Sequence, residues 1–230
     1  MQIIAIGDDQ RYEELRKKLA SLQIDITRIT DVEEEMDEIK TADIIFDLNF
    51  DDDADNLAFY ASLKDKYIFV SAVKTSLAEQ VYVLGEKLKC KLIGMNAIPT
   101  FIDRERWELS LYYSFMAEDV QKIMSQLKIN YDIVADRVGM VTPRILFMII
   151  NEACYTLQEG TASIEDIDQG MKLGTSYPFG PFEWCDRIGI TDVFETLVSI
   201  YEDTKEERYK ICPLLKNKYL RNQTFYKVAK

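Results

Sequence analysis

The 230-residue chain contains no histidine. That absence excludes Ser-His-Asp and Cys-His catalysis, a histidine metal site, and imidazole acid–base chemistry near neutral pH. Basic residues are also scarce, 28 Lys and Arg against 40 Asp and Glu, for a net charge of -12. A chain so acidic offers no basic stripe to nucleic acid or to an anionic membrane. The four cysteines, Cys90, Cys154, Cys185 and Cys212, form no CxxC pair. Neither a zinc ribbon nor a redox motif is visible, and reduced thiols in a cytoplasmic protein are expected. No stretch approaches the roughly 18 apolar residues of a membrane span. The opening MQIIAIGDDQRYEEL lacks the basic region and cleavage site of a signal peptide. What remains is a globular composition, 47% apolar and 30% charged.

The first half alternates short β-rich runs with helical patterns. QIIAI reads as a strand, and Tyr12 to Leu22 sets Leu15, Leu19 and Leu22 on one helical face. QIDITRIT, an acidic helix DVEEEMDEIK, the strand DIIFDLNF, the helix NLAFYASLKD and the strand YIFVSAV follow. SLAEQVYVLGEKLKC then reads as a helix, and KLIGMNAI and WELSLYYSF as closing strands. Such alternation predicts βαβ units around a parallel sheet. After about Asp136 the texture becomes helical, with RILFMIINEACYTLQEG, SIEDIDQGMKLG and ITDVFETLVSIYEDTK. Ser163 and Asp166 have capping-box spacing, and Gly174 is expected at a helix C-cap. The tail QTFYKVAK is expected to fray or to pack as a short extension. The expected architecture is thus α/β: residues 1–136 form a shortened, doubly wound sheet, and residues 137–230 an all-helical domain. The run RILFMIINEACYTL is apolar on more than one face, as either a core helix or a dimer contact requires. Cys154 and Cys185 read as small buried apolar residues.

A nucleotide site in a doubly wound sheet lies at the first strand-to-helix turn. Here that turn is Gly7-Asp8-Asp9-Gln10-Arg11-Tyr12, and of the three fingerprint glycines only Gly7 is present. Asp9 and Tyr12 stand at the other two positions, and two aspartates bring negative charge to a phosphate site. The alternative reading is a turn kept for folding, with acids favouring the helix N-terminus. Asp51, Asp52, Asp53 and Asp55 read as a solvated loop and not as a metal site, since consecutive residues diverge and no EF-hand glycine is present. Glu108, in WELSLYY, is either a desolvated acid–base group or a surface residue, because strand alternation allows both.

The helical half carries a recognisable string. ASIEDIDQGMKLGTSYPFGPFEWCDRIG, Ala162 to Gly189, closely resembles the C-terminal domain of the 3-hydroxyacyl-CoA dehydrogenase family. Gly139 to Arg144, Asn151-Glu152-Ala153 and Cys212-Pro213-Leu214-Leu215 are similar to further segments of it. The first half resembles the family more faintly, at Thr41 to Asp47, Phe69 to Leu77 and Gly94-Met95-Asn96. The resemblance implies a Rossmann domain that binds NAD, a helical domain that forms a homodimer, acyl-CoA as ligand, and no metal. It implies reversible hydride transfer between NAD and the 3-carbon of a 3-hydroxyacyl-CoA.

The family's machinery carries over only in part. Its catalytic histidine falls on Asn96, the glutamate partner on Glu108, and the substrate-orienting serine on Thr75. Two family asparagines fall on Pro99 and Pro143, which have no amide to donate. Gly7 alone represents the cofactor turn. The stretch before Thr41 is short where the family has a helical appendage, and the basic closing segment is reduced to Arg221 to Tyr226. The implied reading is a pseudoenzyme, weak or inactive as a dehydrogenase, that keeps acyl-CoA binding or an interaction role. The alternatives are an active NAD-dependent enzyme of fatty-acid metabolism with an atypical site, and a redox-free hydratase-like or isomerase-like enzyme using Glu108.

Overall fold

The computed structural model describes residues 1–22 and 24–226. The chain divides into two compact units, Met1–Met140 and Val141–Lys230. The first is built on seven strands: β1 (Ile3–Ile6), β2 (Ile26–Ile29), β3 (Ile44–Asp47), β4 (Tyr67–Ser71), β5 (Lys91–Met95), β6 (Arg106–Leu111) and β7 (Asn130–Ile133). They lie in the order β2-β1-β3-β4-β5-β6-β7. The first five are parallel, β6 runs antiparallel to β5, and β7 runs parallel to β6. The expected α/β sheet is therefore present. Its helices are α1 (Asp9–Leu19), α2 (Met36–Ile39), α3 (Leu57–Tyr60), α4 (Leu77–Leu84) and α5 (Ala117–Leu127).

The inner strands are apolar on both faces, as a sheet covered on both sides requires. Ile3, Ala5, Ile44, Phe46, Phe69, Ile93 and Met95 pack with Leu15 and Leu19 of α1 and with Val120, Ile123, Met124 and Leu127 of α5. The alternate residues Ile4, Ile45, Ile68 and Leu92 are equally buried. α4 covers this second face: a Cβ on Gly94 would lie 3.5 Å from Leu77 Cδ1. α4 starts where Ser76 accepts from the Glu79 amide and Asp136 accepts from the amides of Leu77 and Ala78, at 2.8 and 2.9 Å.

Three helices are shorter than the sequence pattern predicts. The acidic run forms only the four residues of α2, NLAFYASLKD gives only α3, and Gly85 in a left-handed conformation stops α4 before EKLKC. Two elements of this unit, α5 and β7, carried no expectation. Val120, Ile123, Met124 and Leu127 are spaced as a buried helical stripe, so a window over 117–127 contains the signal.

The second unit is helical as expected: α6 (Thr142–Gln158), α7 (Ile164–Thr175), α8 (Pro181–Ile188), α9 (Ile190–Thr204) and α10 (Pro213–Leu220). Pro143 sits in the first turn of α6, where a missing N–H costs nothing. Leu146, Phe147, Ile150 and Cys154 turn inward, while Ile145 is 60% exposed. Ser163 caps α7 as its spacing predicts. Gly174 lies inside that helix, however, and Ser176 holds the left-handed C-cap. All four cysteines are buried free thiols, and desolvation raises the pKa of each. Among the described residues, no helix is long and apolar enough to cross a membrane.

The string that carries the resemblance serves this packing. Asp168, 3% exposed, accepts from the amides of Phe182 and Glu183 at 2.8 and 3.0 Å and from the Tyr226 hydroxyl at 2.8 Å. It therefore caps α8 from α7. Gly180 is required beside it, since a Cβ there would lie 2.2 Å from the Asp168 carboxyl carbon. Asp186 holds the amides of Phe225 and Tyr226, both at 2.8 Å, so the tail packs at least that far. Residues 227–230, the end of the expected extension, lie outside the described residues. Asn151 bridges Lys210 O and the Cys212 amide. Gly180→Ala is expected to destabilise the protein by about 1–3 kcal/mol in urea melts, because overpacking displaces the capping carboxylate. Gly170→Ala, with nothing within 4 Å, is the control and is expected to be neutral or stabilising.

Candidate active site

In a doubly wound sheet, ligands bind beyond the carboxyl ends of the strands. The site residues read from the sequence all lie there. The β5–β6 pairing sets Met95 opposite Leu109 and continues as Asn96 N donating to Glu108 O at 3.2 Å. Directly opposed residues place their side chains on the same face, with Cβ atoms about 4.5–5.5 Å apart. Asn96 and Glu108 are therefore neighbours. Two residues earlier, Gly94 faces Ser110, where a Cβ would lie 2.3 Å from the serine Oγ.

Asn96 is 5% exposed, and its Oδ1 has no hydrogen-bond partner among the described residues. Glu108 is half-buried, and Arg104 lies within its electrostatic reach. Burial lowers the Arg104 pKa, and the Glu108 charge opposes that shift. Pro99 belongs to the segment that joins β5 to β6, and the Thr100 amide beside it is held by Glu14 of α1 at 2.9 and 3.0 Å.

Thr75 lies on the loop between β4 and α4. It is 9% exposed, accepts from Gln80 Nε2 at 2.9 Å, and its hydroxyl is 3.3 Å from Glu79 Oε2. The loop is shaped by Asp51, which corrects one expectation. Asp51 is not part of a solvated loop: its carboxylate accepts from the Ser71 hydroxyl and from the amides of Val73 and Lys74 at 2.6, 3.0 and 2.7 Å. Asp52 pairs with Lys74 at 2.6 Å.

Asp47, fully buried at the end of β3, carried no expectation either. Desolvation pushes its pKa up to about 7 from 3.8, against the hydrogen bonds it accepts from Tyr60, Asn56 and the Asn49 amide. A carboxylate with a raised native pKa stabilises the fold fully below its unfolded value, and that contribution is lost as pH rises through about 7. Asp47→Asn stays neutral throughout. Its melting temperature relative to the wild type is therefore expected to rise as pH is raised from about 4 to about 7, measured by parallel thermal melts.

The first turn is the candidate cofactor site. Gly7 packs closely: a Cβ would lie 3.1 Å from Leu48 Cβ. Asp8 caps α1, its carboxylate accepting from the Arg11 amide at 2.9 Å and pairing with the Arg11 guanidinium. Partial burial works to raise the Asp8 pKa, but these Arg11 contacts outweigh it and hold it low. Asp9 pairs with Arg28 of β2 at 2.7 Å, and Arg28 also donates to Gly7 O at 2.9 Å and lies 5.0 Å over the Tyr12 ring. Arg11, 6% exposed, runs inward and donates to Ala97 O at 3.1 Å. Beside the turn is a cleft of about 480 Å³, whose lining includes Asp8, Asp31, Glu33, Asp52, Asp53 and Asp55 and no Lys or Arg. A dinucleotide brings a negatively charged pyrophosphate to a helix N-terminus with free amides. These residues do not fit it. Gly7 alone is compatible with the NAD role that the resemblance implied. Arg28 was missed in the sequence because its partners Asp9 and Gly7 lie 19 and 21 residues away, and Asp47 because its burial shows in no local spacing.

Comparison with known proteins agrees with the fold. Residues 139–229 match the family model of the 3-hydroxyacyl-CoA dehydrogenase C-terminal domain. The chain is 42% identical over 87 residues to a 3-hydroxyadipyl-CoA dehydrogenase of Escherichia coli K12, covering 38% of this chain and 18% of that protein. It is 27% identical over 198 residues to a 3-hydroxybutyryl-CoA dehydrogenase of Clostridioides difficile, covering 81% of this chain and 69% of that one. The crystal structure of (S)-3-hydroxybutyryl-CoA dehydrogenase from Ralstonia eutropha superposes with a TM-score of 0.76 at 21% identity, over 100% of both chains. At that identity the likeness is one of fold. The matched segment spans only about a fifth of the Escherichia coli relative, 18% of its length.

Proposed function

We propose, from a chain that belongs to the 3-hydroxyacyl-CoA dehydrogenase-like family and carries its C-terminal domain at residues 139–229, that the protein binds 3-hydroxyacyl thioesters of coenzyme A and does not oxidise them. Asn96, opposite Glu108 with a buried and unpartnered Oδ1, carries this reading.

Oxidation of a 3-hydroxyl to a ketone breaks two bonds. The hydroxyl proton must pass to a base as hydride leaves the carbon. A carboxamide accepts a hydrogen bond but takes no proton near neutral pH. Loss of a positioned general base alone costs about 10²–10⁴-fold in rate. Binding makes the lesser demand. A buried acceptor without a partner costs about 1–3 kcal/mol, and a ligand hydroxyl that donates to it removes that cost. The Thr75 hydroxyl, on the loop that leaves β4 at the same end of the sheet, is the second group suited to hold the ligand.

Calorimetric titration with 3-hydroxybutyryl-CoA tests the reading, with NADH formation followed in parallel after NAD is added. Saturable binding without turnover is expected. Asn96→Ala is expected to weaken binding about 2–10-fold, the worth of one hydrogen bond. Turnover by the wild type, or no binding at all, would contradict the proposal.

A further inference from the structure

We infer that the dinucleotide site of this protein is filled by its own side chains, with the Asp8 carboxylate standing where a pyrophosphate would lie. The helix N-terminus attracts anions because its first amides have no partner within the helix and the peptide dipoles add there. In α1 part of that demand is met from within the protein. The Asp8 amide donates to Asn49 Oδ1 at 3.1 Å, the Arg11 amide donates to the Asp8 carboxylate at 2.9 Å, and the Tyr12 amide closes the first turn on Asp8 O at 3.0 Å. The Arg11 guanidinium then neutralises the Asp8 carboxylate from within the fold.

Closure extends beyond the turn. Arg28 clasps it from β2, bound to Asp9 on one side and to Gly7 O on the other, with the Tyr12 ring beneath. Along α1, one residue after another is fastened to the segment after β5. Arg11 holds Ala97, Glu14 holds Thr100, Lys17 holds Asp103 at 2.8 Å, and Lys18 holds the Arg104 carbonyl. The four partners keep the same separation of 86 residues, so helix and segment run in step. The acidic cleft beside the turn adds a wall of like charge against any phosphate. Side chains at Asp9 and Tyr12 thus do more than intrude on a glycine turn: each is tied into a contact network that a cofactor would have to break.

This inference goes beyond the acyl-thioester reading and stands apart from it. NADH binding by the wild type would sink the inference while leaving thioester binding intact, and failure to bind thioester would do the reverse. The test is fluorescence titration with NADH and thermal stability with ADP, on the wild-type chain and on an Asp8→Ala, Asp9→Gly, Tyr12→Gly variant whose folding is checked by circular dichroism. No saturable response is expected from the wild type at millimolar ligand, whereas the variant is expected to gain NADH affinity at least about tenfold beyond that limit. Saturable NADH binding by the wild type overturns the inference. A folded variant that still ignores NADH overturns the assignment of the block to these residues. Should the triple variant fail to fold, Asp9→Gly alone releases Arg28 and is read in the same way.

Discussion

The ion pair between Asp8 and Arg11 ties together what the rest of the first unit depends on. It caps α1, takes up the Arg11 amide, and turns an arginine inward to reach Ala97, just past the end of β5. A buried guanidinium is tolerated only when it is paired and hydrogen-bonded, and Arg11 has both a carboxylate and a carbonyl to meet that condition. The segment from Ala97 to Arg104 is held along α1 by Arg11, Glu14, Lys17 and Lys18, and it leads into β6, where Glu108 stands opposite Asn96.

The two halves of the chain preserve different things. In the helical unit the string that carries the resemblance consists of structural joints. Asp168 caps α8, Gly180 makes room for that carboxylate, Asp186 holds the tail, and Asn151 bridges two backbone groups. None of these is a proton or hydride handler. In the sheet unit the residues of the first turn bind one another and their neighbours, Asp8 with Arg11 and Asp9 with Arg28. A match concentrated in residues 139–229 therefore speaks for the fold more than for the reaction.

The alternation of strands and helices was legible because the inner strands are short continuous apolar runs, and the Ser163 cap was legible from its spacing. Gly174 misled, because a glycine inside a helix and a glycine just after one look alike when tertiary packing decides where the helix ends. That Asn96 stands where the family has its catalytic histidine is what the resemblance implies, and the absence of histidine from the chain agrees with it. The resemblance named Glu108 as the partner of that position, while the register that sets the two residues opposite each other comes from the meeting of β5 and β6. Asp51 looked solvated in a run of aspartates, yet the loop after β4 supplies it with two amides and a hydroxyl. Arg28 depends on partners 19 and 21 residues away, and the burial of Asp47 is decided by the packing around β3, so neither left a local pattern.

The first turn is bound from within the protein, through the amides of Asp8 and Arg11. Amide hydrogen exchange over residues 7–12, with and without NADH, measures this directly. The account expects the amides of Asp8, Arg11 and Tyr12 to be protected in the free protein and NADH to leave their exchange unchanged. Fast exchange of these amides in the free protein, slowed when NADH is added, would contradict it.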